Sequence, residues 1–250
     1  FNYHEKYSLL QSAAFHGKTW FVKYLINYGL DVNYKNNKGE NALFDSINPF
    51  HGNVETIEYL LDNGADKSDL FKLYDGKLIL ENLIYGNKTD ILKFLISIGL
   101  DINAKNKDGF AVIIISSEYG GPEIFNEILE SGANLDDNLG NVLHRIECRM
   151  CNKGLKKDSV EEAFEKLKIL YNRKYPITVL DYYNNHKYDI LTHYSKSIMN
   201  RKAIKKYEEN IILALLEMGF KHNDKKNFLE YLERIRNIKI KNYLEENIQL

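Results

Sequence analysis

Residues Thr89 to Gly109 read TDILKFLISIGLDINAKNKDG, and related versions of this stretch recur before and after it. Within it Ile91, Leu92, Phe94, Leu95 and Ile98 return at helical spacing, making one wide apolar face. Such a face has to be buried against a neighbour. The helical spacing ends at Gly99, where a residue without Cβ can take the left-handed conformation that closes a helix. Leu100, Asp101, Ile102 and Asn103 then leave the helix as a turn with an apolar anchor held between polar residues.

The same pattern occupies Phe21 to Asn33, Ile57 to Asp66 and Ile124 to Asn134. The closing glycines are Gly29, Gly64, Gly99 and Gly132, at intervals of 35, 35 and 33 residues. A period in this range, with copies ending in variants of L-L-x-x-G-A-D-x-N, resembles the ankyrin repeat. The resemblance covers residues 7–136. It implies an all-α solenoid of stacked helix-turn-helix pairs with short turn tips, and the degeneracy of the copies points to a bacterial or viral type. Four such repeats fill residues 1–136, two degenerate ones with insertions fill 137–223, and a C-terminal capping helix fills 224–250, as one continuous solenoid.

In the first repeat Ser8 stands where the family places a helix-capping threonine, and a second helix is expected from about Lys18 to Tyr28. The second repeat opens at the turn Asn36-Asn37-Lys38-Gly39. Its two extra residues fall in Asn48 to His51, where Pro49 disfavours helix in the preceding residue, so the insertion belongs to the loop between its helices. The third places larger residues in the small-residue slots, and one extra residue is expected near Lys88. In the fourth, Val112 to Ile115 reads as a strand by local pattern, but the repeat context favours a helix, with Pro122 as the first residue of the outer one. The fifth is irregular, with its second helix delayed to Val160–Tyr171, and the sixth is expected to carry helices over Val179–Tyr194 and around Ile211–Met218.

Composition bounds the function classes. The 250 residues are 44% hydrophobic and 28% charged, an ordinary globular balance. The longest uncharged apolar run, Phe110 to Ser117, is far short of the roughly 18–20 residues that a membrane span needs. Only Cys148 and Cys151 are present, too few for a disulfide framework, which favours a cytoplasmic protein or one delivered into a host cytoplasm. Charge is uneven: residues 1–150 hold 14 Lys+Arg against 21 Asp+Glu, and residues 151–250 hold 20 against 14.

The resemblance implies binding to another protein through the concave face built from turn tips and inner helices, with no catalysis and no cofactor. Carrying the pattern over places Tyr34, Lys35, Asn37, Lys105 and Lys107 at turn tips. Phe15, Phe44, Phe50, His51, Tyr85 and Tyr119 fall on or just after inner helices. Aromatics suit this role because they offer large, rigid contact areas. The acidic front half favours a basic protein partner, engaged by a monomer and with no membrane involved. The alternatives are a metal site and a nucleic-acid surface. Cys148-x-x-Cys151 followed by Gly154 has the form of half a zinc turn, with His144 one helical turn earlier and a fourth ligand sought in His186 or His193. His144 already has a place as the histidine of the family's L-H pair, so no metal is assigned. Arg201, Lys202, Lys205, Lys206, Arg234, Arg236, Lys239 and Lys241 are interspersed with glutamates, the pattern of a solvated face rather than of a nucleic-acid binder. No G-x-S-x-G, phosphate-cradling loop or H-E-x-x-H motif is present.

Overall fold

A serine starts the first helix. In the computed structural model, Ser8 Oγ accepts the amide of Gln11 at 3.1 Å while Gln11 Oε1 accepts the amide of Ser8 at 3.1 Å, a reciprocal cap that pairs two otherwise orphaned donors. The structure describes residues 8–152, 156–177, 179–180, 187–188, 194–195, 197–198, 205–219, 239–240 and 242–243. The chain divides into two units, Phe1–Asn138 and Leu139–Leu250.

In the first unit the helices are α1 (Leu9–Phe15), α2 (Thr19–Asn27), α3 (Ala42–Ser46), α4 (Val54–Asp62), α5 (Ile79–Gly86), α6 (Thr89–Ser97), α7 (Val112–Tyr119) and α8 (Pro122–Glu130). Each odd-numbered helix pairs with the even one after it. The even helices stack in the order α2, α4, α6, α8, while α1 packs on α3 and α5 on α7. Sequence periodicity becomes burial here. Val22, Ile57, Leu92 and Phe125 occupy one place in the four outer helices, and Leu25, Leu60, Leu95 and Ile128 another; all eight are buried. Each contributes about 1.5–3 kcal/mol by leaving water.

Gly29, Gly64, Gly99 and Gly132 close the outer helices at φ of +97°, +89°, +97° and +87°. The amide after each glycine returns to the carbonyl five residues back, as Leu100 does to Leu95 at 3.0 Å. The D-x-N signature that follows is a staple. Asp31 accepts the amide of Asn33 at 2.9 Å, and Asn33 then donates to Gly64 O and accepts from the Asp66 amide, both at 2.8 Å. Asn103 repeats this with Gly132 O (3.3 Å) and the Asn134 amide (2.7 Å). The asparagine thus carries one repeat's exit turn onto the next. Ser68 stands where the corresponding asparagine of the Gly64 turn would be. At that junction a buried Asp69 instead accepts Asn41 Nδ2 at 2.7 Å and Lys35 Nζ at 2.9 Å, and pairs with Lys72. Burial alone would raise the Asp69 pKa, but the bonds from Lys72 and Lys35 outweigh it and hold the carboxyl below its ordinary range.

The loop insertion in the second repeat is as expected: Asn48 Oδ1 accepts the amides of Phe50 (2.8 Å) and His51 (3.1 Å) and folds the extra residues between α3 and α4. The third repeat differs from the expectation. Its extra length lies before α5 rather than near Lys88, in a 3-10 turn (Lys67–Phe71) and a hairpin of β1 (Leu73–Tyr74) with β2 (Lys77–Leu78). Asp75 and Gly76 have φ of +52° and +76°, the backbone that an Asp-Gly hairpin turn demands. In the fourth repeat, Val112 to Ser117 are buried along the whole run, so packing against α5 and α8 overrides the strand preference of the β-branched residues. Ser116 and Ser117 bond back to the carbonyls of Ile113 and Ile114.

The second unit contains α9 (Leu139–Cys151), α10 (Lys157–Asn172) and α11 (Lys206–Glu217). α9 and α10 pack together, and Val142, Ile146 and Met150 of α9 and Val160, Ala163 and Leu167 of α10 are all buried. Tyr171 and Tyr243 donate to the carbonyls of Met218 (2.7 Å) and Leu216 (2.9 Å), satisfying acceptors at the end of α11. The helix expected over Val179–Tyr194 is replaced at its start. β3 (Val179–Leu180) pairs antiparallel with β4 (Lys187–Tyr188). Pro176 and the β-branched run Ile177, Thr178, Val179 favour extended backbone there. Most of the expected capping helix over 224–250 lies outside the described residues; Lys239, Ile240, Asn242 and Tyr243 within it are helical.

Candidate functional site

The inner helices of the first unit end in a row of exposed rings. Phe15 closes α1, Tyr85 is the penultimate residue of α5, Tyr119 closes α7, and Phe50 sits in the α3–α4 loop that follows the short α3. Their exposures are 41% for Phe15, 76% for Phe50, 52% for Tyr85 and 50% for Tyr119, so no ring in the row is packed away. They come in contacting groups. Phe15 meets His16 at 5.3 Å between centroids, His16 stacks on His51 at 6.0 Å, and Phe50 lies 6.5 Å from His51. Tyr85 and Tyr119 lie 5.3 Å apart. The Tyr85 phenol is held above its ordinary pKa by partial burial and by the charge of Glu81, so it stays a neutral hydrogen-bonding group.

The backbone beneath these rings is fixed. A Cβ on Gly17 would stand 2.1 Å from His51 O, and one on Gly86 would stand 2.2 Å from Pro49 O. Only glycine lets the inner loops of successive repeats approach this closely. Lys88 Nζ adds bonds to the carbonyls of Phe50 and Gly52, both at 3.4 Å. The rings are therefore carried on a preorganised frame, which lowers the ordering cost of any contact they make.

The other residues picked from the sequence separate from this row. Tyr34, Lys35, Asn37, Lys105 and Lys107 lie before the N-termini of inner helices, whereas the rings lie at their C-terminal ends, about 10 Å away along a helix of this length. Tyr34 and Asn37 are exposed. Lys35 gives its ammonium to Asp69 at 2.9 Å, so its charge also holds the repeat junction. Lys107 drapes its stem over Gly76 and donates its amide to Gly76 O at 3.0 Å, and Lys105 forms a backbone bridge with Ala111. Phe44 is half-buried on α3, and its amide donates to Asn41 Oδ1 at 3.0 Å.

Several exposed groups escaped the sequence reading. His16 joins the ring row through His51, and Trp20, Tyr24 and Tyr28 stand out from α2, with Trp20 71% exposed. Their i, i+4, i+8 spacing was a usable signal. So was the comparison of repeats, since the place of Trp20 is Glu55, Asp90 and Glu123 in the later outer helices. Those acids suit a helix N-terminus, and a tryptophan there answers no such need.

Cys148 and Cys151 do not lie in a zinc turn; both are in α9, on consecutive turns of one helix. His186 and His193 lie outside the described residues. So do Arg201, Lys202, Arg234, Arg236 and Lys241 of the basic third, while Lys205 places its ammonium 5.7 Å from the Tyr207 ring. Among the described residues no helix is long and apolar enough to cross a membrane.

These features define a class: stacked helix pairs of one period, closed by left-handed glycines and joined by asparagine staples. Residues 1–70 match the family model described as ankyrin repeats in three copies, and the later helix pairs of the first unit repeat the same period and turn. The chain is also 26% identical over 132 residues to Protein VAPYRIN-LIKE of Medicago truncatula, a match that covers 51% of this chain and 26% of that protein. The chain thus spans about a quarter of the length of that relative.

Proposed function

We propose that this chain binds a partner protein through the aromatic row Phe15, Phe50, Tyr85 and Tyr119, with His16 and His51 filling the space between the first two rings. Ankyrin repeats generally mediate protein–protein interaction, and the single observation that carries the assignment to this face is the recurrence of an exposed ring at the same place in four successive repeats. A soluble array has no packing reason to keep such a row in water, whereas binding cores are enriched in aromatics held on rigid backbone. The excess of acidic residues over 1–150 favours a basic partner surface, and association should slow as salt screens it. The reading involves no reaction and no cofactor, and it has a monomer as the binding species.

The test is affinity capture from source-cell lysate with the wild-type chain and with Phe50→Ala/Tyr85→Ala. Both rings are exposed, so the variant should melt within about 0.5 kcal/mol of wild type. A stoichiometric protein retained by wild type and lost by this folded variant supports the proposal. A partner held equally by both moves the site to the turn tips or to α2.

A further inference from the structure

On α9, His144, Glu147 and Cys148 bring an imidazole nitrogen, a carboxylate oxygen and a thiol sulfur within 4.8 Å of one another. His144 Nε2 lies 3.5 Å from Cys148 Sγ, and His144 Nδ1 lies 3.8 Å from Glu147 Oε2. We propose that these three residues form a binding site for a borderline divalent cation, zinc above all, on the flank of α9. The proposal is independent of the aromatic row, which belongs to the other unit.

The helix itself supplies the geometry. Positions i, i+3 and i+4 share one face, so no further chain movement is needed to gather the donors. Zinc bound at its usual 2.0–2.1 Å from nitrogen and 2.3 Å from sulfur sets two tetrahedral ligands about 3.5 Å apart, the separation already present between Nε2 and Sγ. The donor set is also selective. Thiolate, imidazole and carboxylate are the three side-chain ligands that zinc uses, whereas calcium and magnesium call for oxygen alone. Glu147 is buried and Cys148 exposed, so the site has a fixed acidic floor and an open rim through which an ion enters. Three protein ligands leave a fourth position for water. Binding replaces the Cys148 thiol proton, which passes to solvent as the sulfur–metal bond forms.

Cys151, the other half of the Cys-x-x-Cys pair, stands apart from this cluster, on the next turn of α9. This contrast makes the proposal sharp. The experiment titrates the full chain, reduced and stripped of metal, with Co²⁺ as the spectroscopic probe and then displaces it with Zn²⁺. We expect one cobalt per chain with a thiolate charge-transfer band, abolished by Cys148→Ser, weakened at least 10-fold by His144→Gln, and retained in Cys151→Ser. Circular dichroism establishes that each variant is folded. Absence of saturable binding by either ion would overturn the site, as would a band that survives Cys148→Ser or one that disappears only in Cys151→Ser.

Discussion

Replacing Asp45 with asparagine should flatten the pH dependence of stability in the first unit. Asp45 lies on α3 with 5% of its surface exposed, and its Oδ2 accepts Gln11 Nε2 at 2.9 Å across the first repeat junction. Burial raises its pKa from 3.8 to about 7, against the Gln11 bond, which lowers it, and with help from the charge of Glu40. The folded chain therefore holds this proton between about pH 4 and 7 while the unfolded chain has released it. Its contribution to stability is complete below the unfolded pKa and is lost as pH rises through about 7. The whole shift corresponds to a ceiling of about 4 kcal/mol at 1.36 kcal/mol per unit. With an effective dielectric near 20 even at buried sites, about 1–2 kcal/mol is the expected size. Asparagine keeps the acceptor for Gln11 but carries no titrating proton. Thermal melts at pH 4.5, 6 and 8 should therefore show Asp45→Asn gaining on wild type with pH, by about 3–6 °C at pH 8. A difference between the two proteins that stays constant from pH 4.5 to 8 would refute the reasoning.

Three further changes test the packing. Gly86→Ala puts a Cβ against the Pro49 backbone and should cost about 1–3 kcal/mol in urea unfolding, while also weakening partner capture because the loop that carries Phe50 must shift. Asn103→Ala removes the staple to Gly132 O and the Asn134 amide; a loss of about 1–2 kcal/mol and faster hydrogen exchange at Asn134 are expected. Ile91→Ala opens a cavity at a fully buried outer-helix position and should destabilise by about 2–5 kcal/mol, measured by denaturant midpoint.

Much of the first unit was legible because its rules are local and repeated. The closing glycines, the Ser8 cap, the Asn48–His51 loop and Pro122 at the start of α8 each depend on residues within a few positions. Where two local signals conflicted the outcome depended on packing. Val112 to Ile115 became helix because α5 and α8 bury it all round, whereas the Val179 stretch, outside the regular period, took the extended form that its β-branched residues favour. The ring row was visible as a periodic set of aromatics. What spacing did not reveal was that Phe44 turns half inward or that His16 joins the row.

By itself the sequence determined the period, the helix boundaries set by caps and glycines, and the face of each helix that avoids water, since all of these follow from interactions three to five residues apart. Tertiary structure decided what meets across a repeat length: Lys35 with Asp69, Gly86 with Pro49, His16 with His51. These partners are separated by roughly a full period along the chain, so only the stacking of one repeat on the next brings them together. The same stacking decides which rings remain in water.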